Sequence, residues 1–290
     1  MSDPVYRVPV DDEILLGDNL PLLRELASET FQLVYVDPPF NTGRTQKRLT
    51  LATAPNATGD RTGFGGRRYA TRLLSESSYR DSFDDYLDFL APRLEEARRL
   101  LTTSGTLYFH IDYREAHYCK LLLDEIFGRN CFLNEIIWAY DYGARSRSRW
   151  PAKHDTIFVY VKDATAYRFD AAEVDREPYM APGLVTAEKA ARGKLPTDVW
   201  WHTIVPTNGR EKTGYATQKP EGIVRRMVLA STRPGDWCLD FFAGSGTLGA
   251  VAAKLGRRCV LIDSSEEAVA VMQRRLAGTS PASALADRRG

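Results

Sequence analysis

The chain has 290 residues, 43% of them hydrophobic and 27% charged, with 39 basic against 38 acidic side chains and a net charge of +1. That is ordinary globular material, long enough for one large α/β domain with an insertion or for two modest domains, and its overall charge says nothing about nucleic acid. No run approaches the length of a membrane span, the N-terminus lacks a basic-then-apolar leader, and Cys119, Cys131, Cys238 and Cys259 lack the close spacing of a disulfide framework or a zinc site, which suits a reducing cytoplasm.

In chain order, Ile14–Asp18 reads as a short strand ending at an acid, and a Leu-rich helix follows over Leu20–Ala27. Leu33-Val34-Tyr35-Val36 is a buried strand that stops at Asp37-Pro38-Pro39-Phe40. Proline cannot continue a central strand and pushes the residue before it into an extended conformation, so this is a stiff, bent peptide at the carboxyl end of a strand. Ligands of open α/β sheets collect at that edge. A carboxylate, fixed carbonyls and an aromatic face there suit a planar group bearing an NH2. For an isolated Asp-Pro-Pro, a plain turn whose acid accepts backbone N–H groups fits equally well.

The stretch from Asn41 to Ser78 has little hydrophobic periodicity and is expected to be a long loop, which inside a compact domain is functional or disordered. It carries Arg44, Lys47, Arg48, Arg61, Arg67, Arg68 and Arg72 against the single acid Asp60. Apolar spacing predicts a helix from Phe83 to Leu101, then a strand over Thr106–Asp112 and a helix over Glu115–Phe127. Two strands follow, Asn134–Tyr140 and Thr156–Lys162, with no helix between them, so an antiparallel pair at a sheet edge is expected. Between them lie Arg145, Arg147, Arg149 and Lys153, interleaved with Tyr142 and Trp150, a pattern that suits a phosphate backbone and equally a solvated loop. From Asp163 to Gly214 the rhythm breaks into an irregular, Pro- and Gly-containing insertion with Trp200 and Trp201 at its centre, side chains for packing or for intercalation. Regular order returns with a helix over Pro220–Ser231, a strand over Trp237–Phe241, a glycine turn, a helix over Leu248–Leu255, a strand over Arg258–Asp263 and a helix over Glu266–Leu276. His110, His117, His154 and His202 form no His-x-x-x-His pair, and no metal is expected.

The turn Asp240-Phe241-Phe242-Ala243-Gly244-Ser245-Gly246-Thr247 admits two readings. Gly244, Gly246 and Gly249 fit G-x-G-x-x-G, and Asp263 ends the next strand about twenty residues on, the spacing of a dinucleotide-binding fingerprint. In either reading the glycines let the backbone approach an adenosine-containing ligand, and the acid accepts from ribose hydroxyls. An NAD-dependent oxidoreductase competes on this stretch alone. Against it, Phe-x-Gly-x-Gly preceded by Asp240 resembles an S-adenosylmethionine turn, a dehydrogenase has no use for Asp-Pro-Pro-Phe at a second strand end, and no second nucleotide half follows.

Together, Asp-Pro-Pro-Phe at 37–40 and Phe-Ala-Gly-Ser-Gly-Thr at 242–247 resemble the amino-group DNA methyltransferases, in the order of the permuted β class, with Gly17-Asp18 and Thr217-Gln218-Lys219-Pro220 as further matches. The resemblance covers nearly the whole chain. It implies a circularly permuted, Rossmann-like α/β methyltransferase fold with a mostly parallel sheet, an antiparallel edge hairpin and an inserted target-recognition region. Residues 1–163 form the first part of the catalytic domain, 164–214 the recognition insertion, 215–278 the cofactor-binding part and 279–290 a flexible tail. The implied activity is transfer of a methyl group from S-adenosylmethionine, leaving S-adenosylhomocysteine, to the exocyclic amine of a flipped base in double-stranded DNA: adenine N6, with cytosine N4 as the alternative. Asp37, Pro38, Pro39 and Phe40 are the implied catalytic residues. Asp240, Phe242, Ala243, Gly244, Gly246, Thr247 and Asp263 are implied at the cofactor, joined by Asp18 and Lys219, for which a helix cap and a surface lysine are equally good readings. Arg44, Lys47, Arg48, Arg67, Arg68, Arg145, Arg147, Arg149 and Lys153 are the implied DNA contacts. A homodimer and a cognate restriction endonuclease complete what the resemblance implies. A catalytically silent DNA-binding protein on the same scaffold is the remaining alternative.

Overall fold

The computed structural model describes residues 6–41, 44–55, 61–62, 68–81, 85–143, 145–206 and 208–278. Its residues cluster into two units, Met1–Pro38 with Leu87–Gly290, and Pro39–Tyr86. The expected tail 279–290 lies outside the described residues.

The first unit is built on an eight-stranded sheet. Its strands are β1 (Glu13–Leu16), β2 (Phe31–Val36), β6 (Leu101–Asp112), β7 (Phe132–Ala139), β8 (His154–Val161), β9 (Val199–Trp201), β10 (Trp237–Asp240) and β11 (Arg258–Asp263), in the order β1-β11-β10-β2-β6-β8-β7-β9. The helices are α1 (Asn19–Glu25), α2 (Tyr86–Leu100, whose first residue belongs to the second unit), α3 (Ala116–Phe127), α4 (Ala187–Arg192), α5 (Glu221–Ser231), α6 (Thr247–Leu255) and α7 (Glu266–Ala277). β2 reads Phe-Gln-Leu-Val-Tyr-Val and is buried at all six positions, as a parallel strand covered on both faces must be. Leu33, Tyr35 and Tyr108 from the sheet, Ile223, Val224 and Met227 from α5, and Leu248 and Val251 from α6 share one core.

Strand pairing explains where a site can form. β1, β11, β10, β2 and β6 run parallel, and β1 pairs with β11 from Glu13↔Val260 to Leu16↔Asp263, so the first strand of the chain lies beside its last. That closure is what a circular permutation requires. From β10 the chain crosses through α6 to β11 on one side, while β2 and β6 lie on the other. Strand order therefore reverses between β10 and β2, and a crevice opens at their carboxyl ends.

Two expectations change. The antiparallel pair is present, β7 with β8, but it is not the edge of the sheet, because β9 adds outside β7 in parallel register, Ile137↔Val199 to Ala139↔Trp201. The insertion 164–214 is thus less irregular than its composition suggests. It also holds α4, and it is tied to α5 through Asp170 N–H on the Ala230 carbonyl at 2.7 Å and an Arg226–Glu177 ion pair at 2.6 Å. Trp200 packs: it is buried, its indole N–H donates to the Thr197 carbonyl at 2.7 Å, and the Arg226 guanidinium lies 5.3 Å from its ring centre. Trp201 is 73% exposed.

In the second unit the expected loop 41–78 is instead mostly strand. β3 (Arg44–Pro55) pairs antiparallel with β5 (Arg68–Asp81), and β4 (Arg61–Thr62) pairs with the start of β5. Thr recurs along β3, and Thr and Tyr occur in β5, residues that favour extended backbone, although no apolar alternation announces it.

Candidate active site

Three acids reach the same edge of adjacent parallel strands. Asp37 follows β2, Asp240 ends β10 and Asp263 ends β11, with Asp240 in register with Tyr35 and with Leu261. Asp240 is buried, and its Oδ1 accepts the Phe242 N–H at 3.0 Å. Burial pushes its carboxyl well above the usual range, the Phe242 N–H opposes this, and Asp37 and Asp263 add to the push. Asp263 is also raised by burial, against N–H groups from Ser265 and Gly244 that favour its charged form. A buried acid and a half-buried one, both held above their usual range, suit a cation and hydroxyl donors.

Between them runs the glycine turn. Gly244 and Gly246 take φ of 50° and 70°, which side-chain-bearing residues rarely adopt. Gly244 N–H donates to Asp263 Oδ2 at 2.8 Å, and the Ala243 N–H to the Ile262 carbonyl at 3.0 Å. Arg275 donates to the Ser245 carbonyl and to Thr247 Oγ1, both at 3.1 Å. A Cβ on Gly246 would lie 2.7 Å from Met272 Cγ. Gly246→Ala should therefore cost about 1–3 kcal/mol, from overpacking together with a left-handed backbone, measurable as a lower denaturation midpoint. From the other side, Asn19 Nδ2 donates to the Phe241 carbonyl at 2.7 Å and is itself held by Arg93 Nε at 2.6 Å. The Phe242 ring lies 6.0 Å from Phe89, over which Arg93 stacks at 3.9 Å.

Asp18 turns out to cap α1, accepting from Leu20 N–H at 3.2 Å, and to pair with Arg93 at 2.9 Å. Lys219 is placed at Asp37: its Nζ lies 2.7 Å from Oδ1 and 2.5 Å from Oδ2. Thr247 is buried, and its hydroxyl donates to the Lys219 carbonyl at 3.1 Å. One residue thus joins the glycine turn to the Asp-Pro-Pro carboxylate, two motifs far apart in the chain. Within the second unit, the Pro39 carbonyl accepts the Tyr86 hydroxyl at 2.5 Å.

Sequence reasoning missed a polar line beneath Asp37. Tyr35 Oη lies 2.9 Å from His110 Nδ1, His110 Nε2 lies 3.2 Å from Asp155 Oδ2, and the Tyr140 hydroxyl donates to Asp155 Oδ1 at 3.0 Å. His110 Nδ1 is 3.8 Å from Asp37 Oδ1. Burial pushes the Asp155 carboxyl up, but His110, Lys219 and Tyr140 outweigh it and hold it below the usual range. The available signal was a titratable His110 inside the apolar run Leu107-Tyr108-Phe109-His110-Ile111, at a position that is fully buried.

Arg145, Arg147 and Arg149 are exposed beside exposed Tyr142 and Trp150, while Lys153 pairs with Asp141 at 3.5 Å. Arg44, Lys47, Arg48 and Arg68 lie on β3 and β5, and Arg67 lies outside the described residues. Among the described residues, no group of three or more His, Cys, Asp or Glu is arranged to hold a metal ion, and no helix is long and apolar enough to cross a membrane.

A family model described as DNA methylase matches residues 31–274. The chain is 30% identical over 271 residues to the DNA adenine methyltransferase YhdJ of Escherichia coli (strain K12), spanning 91% of this chain and 82% of that protein. It is 27% identical over 269 residues to the type II methyltransferase M.HpaI of Haemophilus parainfluenzae, spanning 92% and 74%. Among solved structures, the cytosine-N4-specific PvuII DNA methyltransferase superposes with a TM-score of 0.63 at 17% identity, covering 94% of this chain and 88% of that one. An M1.HpyAVI complex with SAM superposes with a TM-score of 0.58 at 19% identity, covering 91% and 98%. The two structures share the fold.

Proposed function

We propose, for a chain that belongs to the DNA methylase family and transfers the methyl group of S-adenosylmethionine to an exocyclic amino group in DNA, that the acceptor is adenine N6 and that Asp37 receives its hydrogen bonds. The observation that carries the reading is the placement of Asp37 and Asp240 on neighbouring strands at the crevice where strand order reverses, with Lys219 bridging from the glycine turn to the Asp37 carboxylate.

The cofactor supplies a methyl group on a positively charged sulfur, electrophilic toward an amine. The residues of the cradle fit such a group. Asp240, buried and raised by its surroundings, would hold the cationic amino group of the methionine moiety, and Asp263, while accepting the Gly244 N–H, would also accept from the ribose hydroxyls. Phe242, Ala243, Gly244 and Gly246 line the turn, and Thr247 braces it through Lys219. Asp18 and Lys219 act one step removed, through the α1 cap and through Asp37.

A paired amino group inside duplex DNA is out of reach, so the target base leaves the stack. Asp37 and the Pro38 carbonyl accept its two N–H protons, keep lone-pair density on nitrogen and aim it at the methyl carbon. The Pro39 carbonyl is taken by Tyr86, so the first proline is the one that serves. Phe40, at the end of the same tetrapeptide, offers an aromatic face to the base. Positioning and a fixed carboxylate then supply most of the rate.

Adenine is favoured over cytosine by the acid at the first position of the motif and by the likeness to an enzyme named for adenine. Arg145, Arg147 and Arg149 in the first unit and, independently, the arginines of β3 and β5 in the second suit DNA phosphates, and 164–214 reads the target. The likeness to a type II enzyme supports a cognate endonuclease, and four buried free thiols suit a cytoplasmic setting; a homodimer completes the reading. The test is methyl-labelled S-adenosylmethionine with sequence-diverse duplex DNA, digestion to nucleosides and mass spectrometry. N6-methyladenine is expected. N4-methylcytosine would correct the base and keep the mechanism, and absence of label from DNA would overturn the reading.

A further inference from the structure

Methylation of an amino group leaves one proton too many. When the nitrogen takes the methyl carbon, the C–S bonding pair departs with sulfur, and the nitrogen becomes cationic until an N–H bond breaks and its pair returns to the ring system. Asp37 is the first acceptor. It is already crowded, because Lys219 Nζ sits on both of its oxygens and its side chain is only 16% exposed.

The structure shows a second acceptor behind the first. His110 is fully buried, and its ring lies between two carboxylates, Nδ1 3.8 Å from Asp37 Oδ1 and Nε2 3.2 Å from Asp155 Oδ2. The Asp155 carboxyl, held below its usual range, accepts the Nε2–H, and Nδ1 then accepts from the Tyr35 hydroxyl at 2.9 Å, with Asp37 Oδ1 also facing it. The groups around the ring are Tyr35 from β2, Asp37 just after it, Asp155 from β8, Tyr140 just after β7 through Asp155, and Lys219 from the segment before α5 through Asp37 and Asp155. Asp240 acts on Tyr35 and Asp37 electrostatically, and Trp138 covers the ring edge-on at 5.5 Å. A structural histidine needs one partner at each ring nitrogen, which Tyr35 and Asp155 supply; Asp37 is a further group beside Nδ1. A torsion of the Asp37 carboxyl that moves Oδ1 by about 1 Å brings Nδ1 to hydrogen-bond distance.

We propose that His110, seated on Asp155, takes from Asp37 the proton that the methylated amino group sheds, and so returns Asp37 to its charged form while the product is still bound. The Asp37 O–H bond breaks, the Tyr35 hydroxyl gives up its hydrogen bond to Nδ1, an Nδ1–H bond forms, and the imidazolium rests against the Asp155 carboxylate until the product has left and Asp37 passes the proton to solvent. This rests on the assignment of Asp37 as the amino-group acceptor.

The experiment compares the native enzyme with His110→Gln and Asp155→Asn, measuring steady-state methylation of duplex DNA from about pH 5.5 to 9, where an imidazole changes charge. The native kcat should fall toward acid pH as the imidazole becomes occupied. His110→Gln should lose that acid limb and roughly 10²-fold in kcat, with the KM for S-adenosylmethionine unchanged. Asp155→Asn should move the limb to lower pH, since the imidazolium loses its counter-charge. A native-shaped profile on a lower plateau in His110→Gln, or an unmoved limb in Asp155→Asn, would show a structural role and overturn the proposal. If neither variant binds cofactor, carbon-labelled histidine in the native enzyme decides. A His110 resonance that titrates with the kinetic limb supports the relay, and one that does not titrate across it overturns it. Methyl transfer that survives in Asp37→Ala would instead sink the underlying reading, whatever His110 does.

Discussion

Asp37→Ala should reduce methyl transfer by at least about 10³-fold while S-adenosylmethionine still binds, because the amino group loses both its charged acceptor and its aim. The two effects separate by geometry. Asp37 lies beyond the end of β2, whereas the cradle is held by Asn19, Arg275 and Asp263 on other elements, and Lys219, which pairs with Asp37 through Nζ, meets the glycine turn through its backbone carbonyl. Asp37→Asn keeps the shape and one acceptor oxygen but no charge, so it should fall between native and alanine. Single-turnover transfer of labelled methyl, read beside calorimetric binding of cofactor, checks both. If the alanine variant retained most of its turnover, another group would have to accept the protons.

The contrast between what could and could not be read from the chain follows the range of the interactions. β2 and its proline stop, the glycine turn and α6 are each specified within a dozen residues, and the acids at their ends were placed by that local grammar. β9 was not legible, because three residues become a strand only when β7 offers an open edge. β3 and β5 were missed for a related reason: backbone pairing holds them without any alternating apolar face to announce it. At the site, Asp37 was legible and its cation was not. Lys219 stands 182 positions away, and no spacing rule links the two. Its expected place at the cofactor came from its motif, while its carbonyl, bonded to Thr247, is the part that meets the cofactor turn. The His110–Asp155 contact spans 45 positions across β6 and β8, and it needed the antiparallel register Asp112↔Asp155 to appear.

Asp240→Asn should stabilise the free protein and weaken cofactor binding together. Burial raises the Asp240 carboxyl pKa above its unfolded value of about 4, so the folded state holds that proton more tightly than the unfolded state. The resulting stability is fully present below about pH 4 and is lost as pH rises through the folded value, which leaves the native enzyme burdened at neutral and alkaline pH. Asparagine can accept the same Phe242 N–H and carries no titratable group, so the gap in Tm between variant and native should be smallest in acid and widen toward neutral pH. Cofactor reverses the sign. Its cationic amino group favours the ionised acid, so native binding should expel a proton wherever Asp240 is protonated, visible as a buffer-dependent calorimetric enthalpy. Removing one partner of a buried charge pair costs about 3–5 kcal/mol, which predicts a loss of affinity on the order of 10²- to 10⁴-fold in Asp240→Asn. The strain and the binding energy are then two faces of one buried charge. A variant that gained stability and kept its affinity would place the methionine amino group on some other acid.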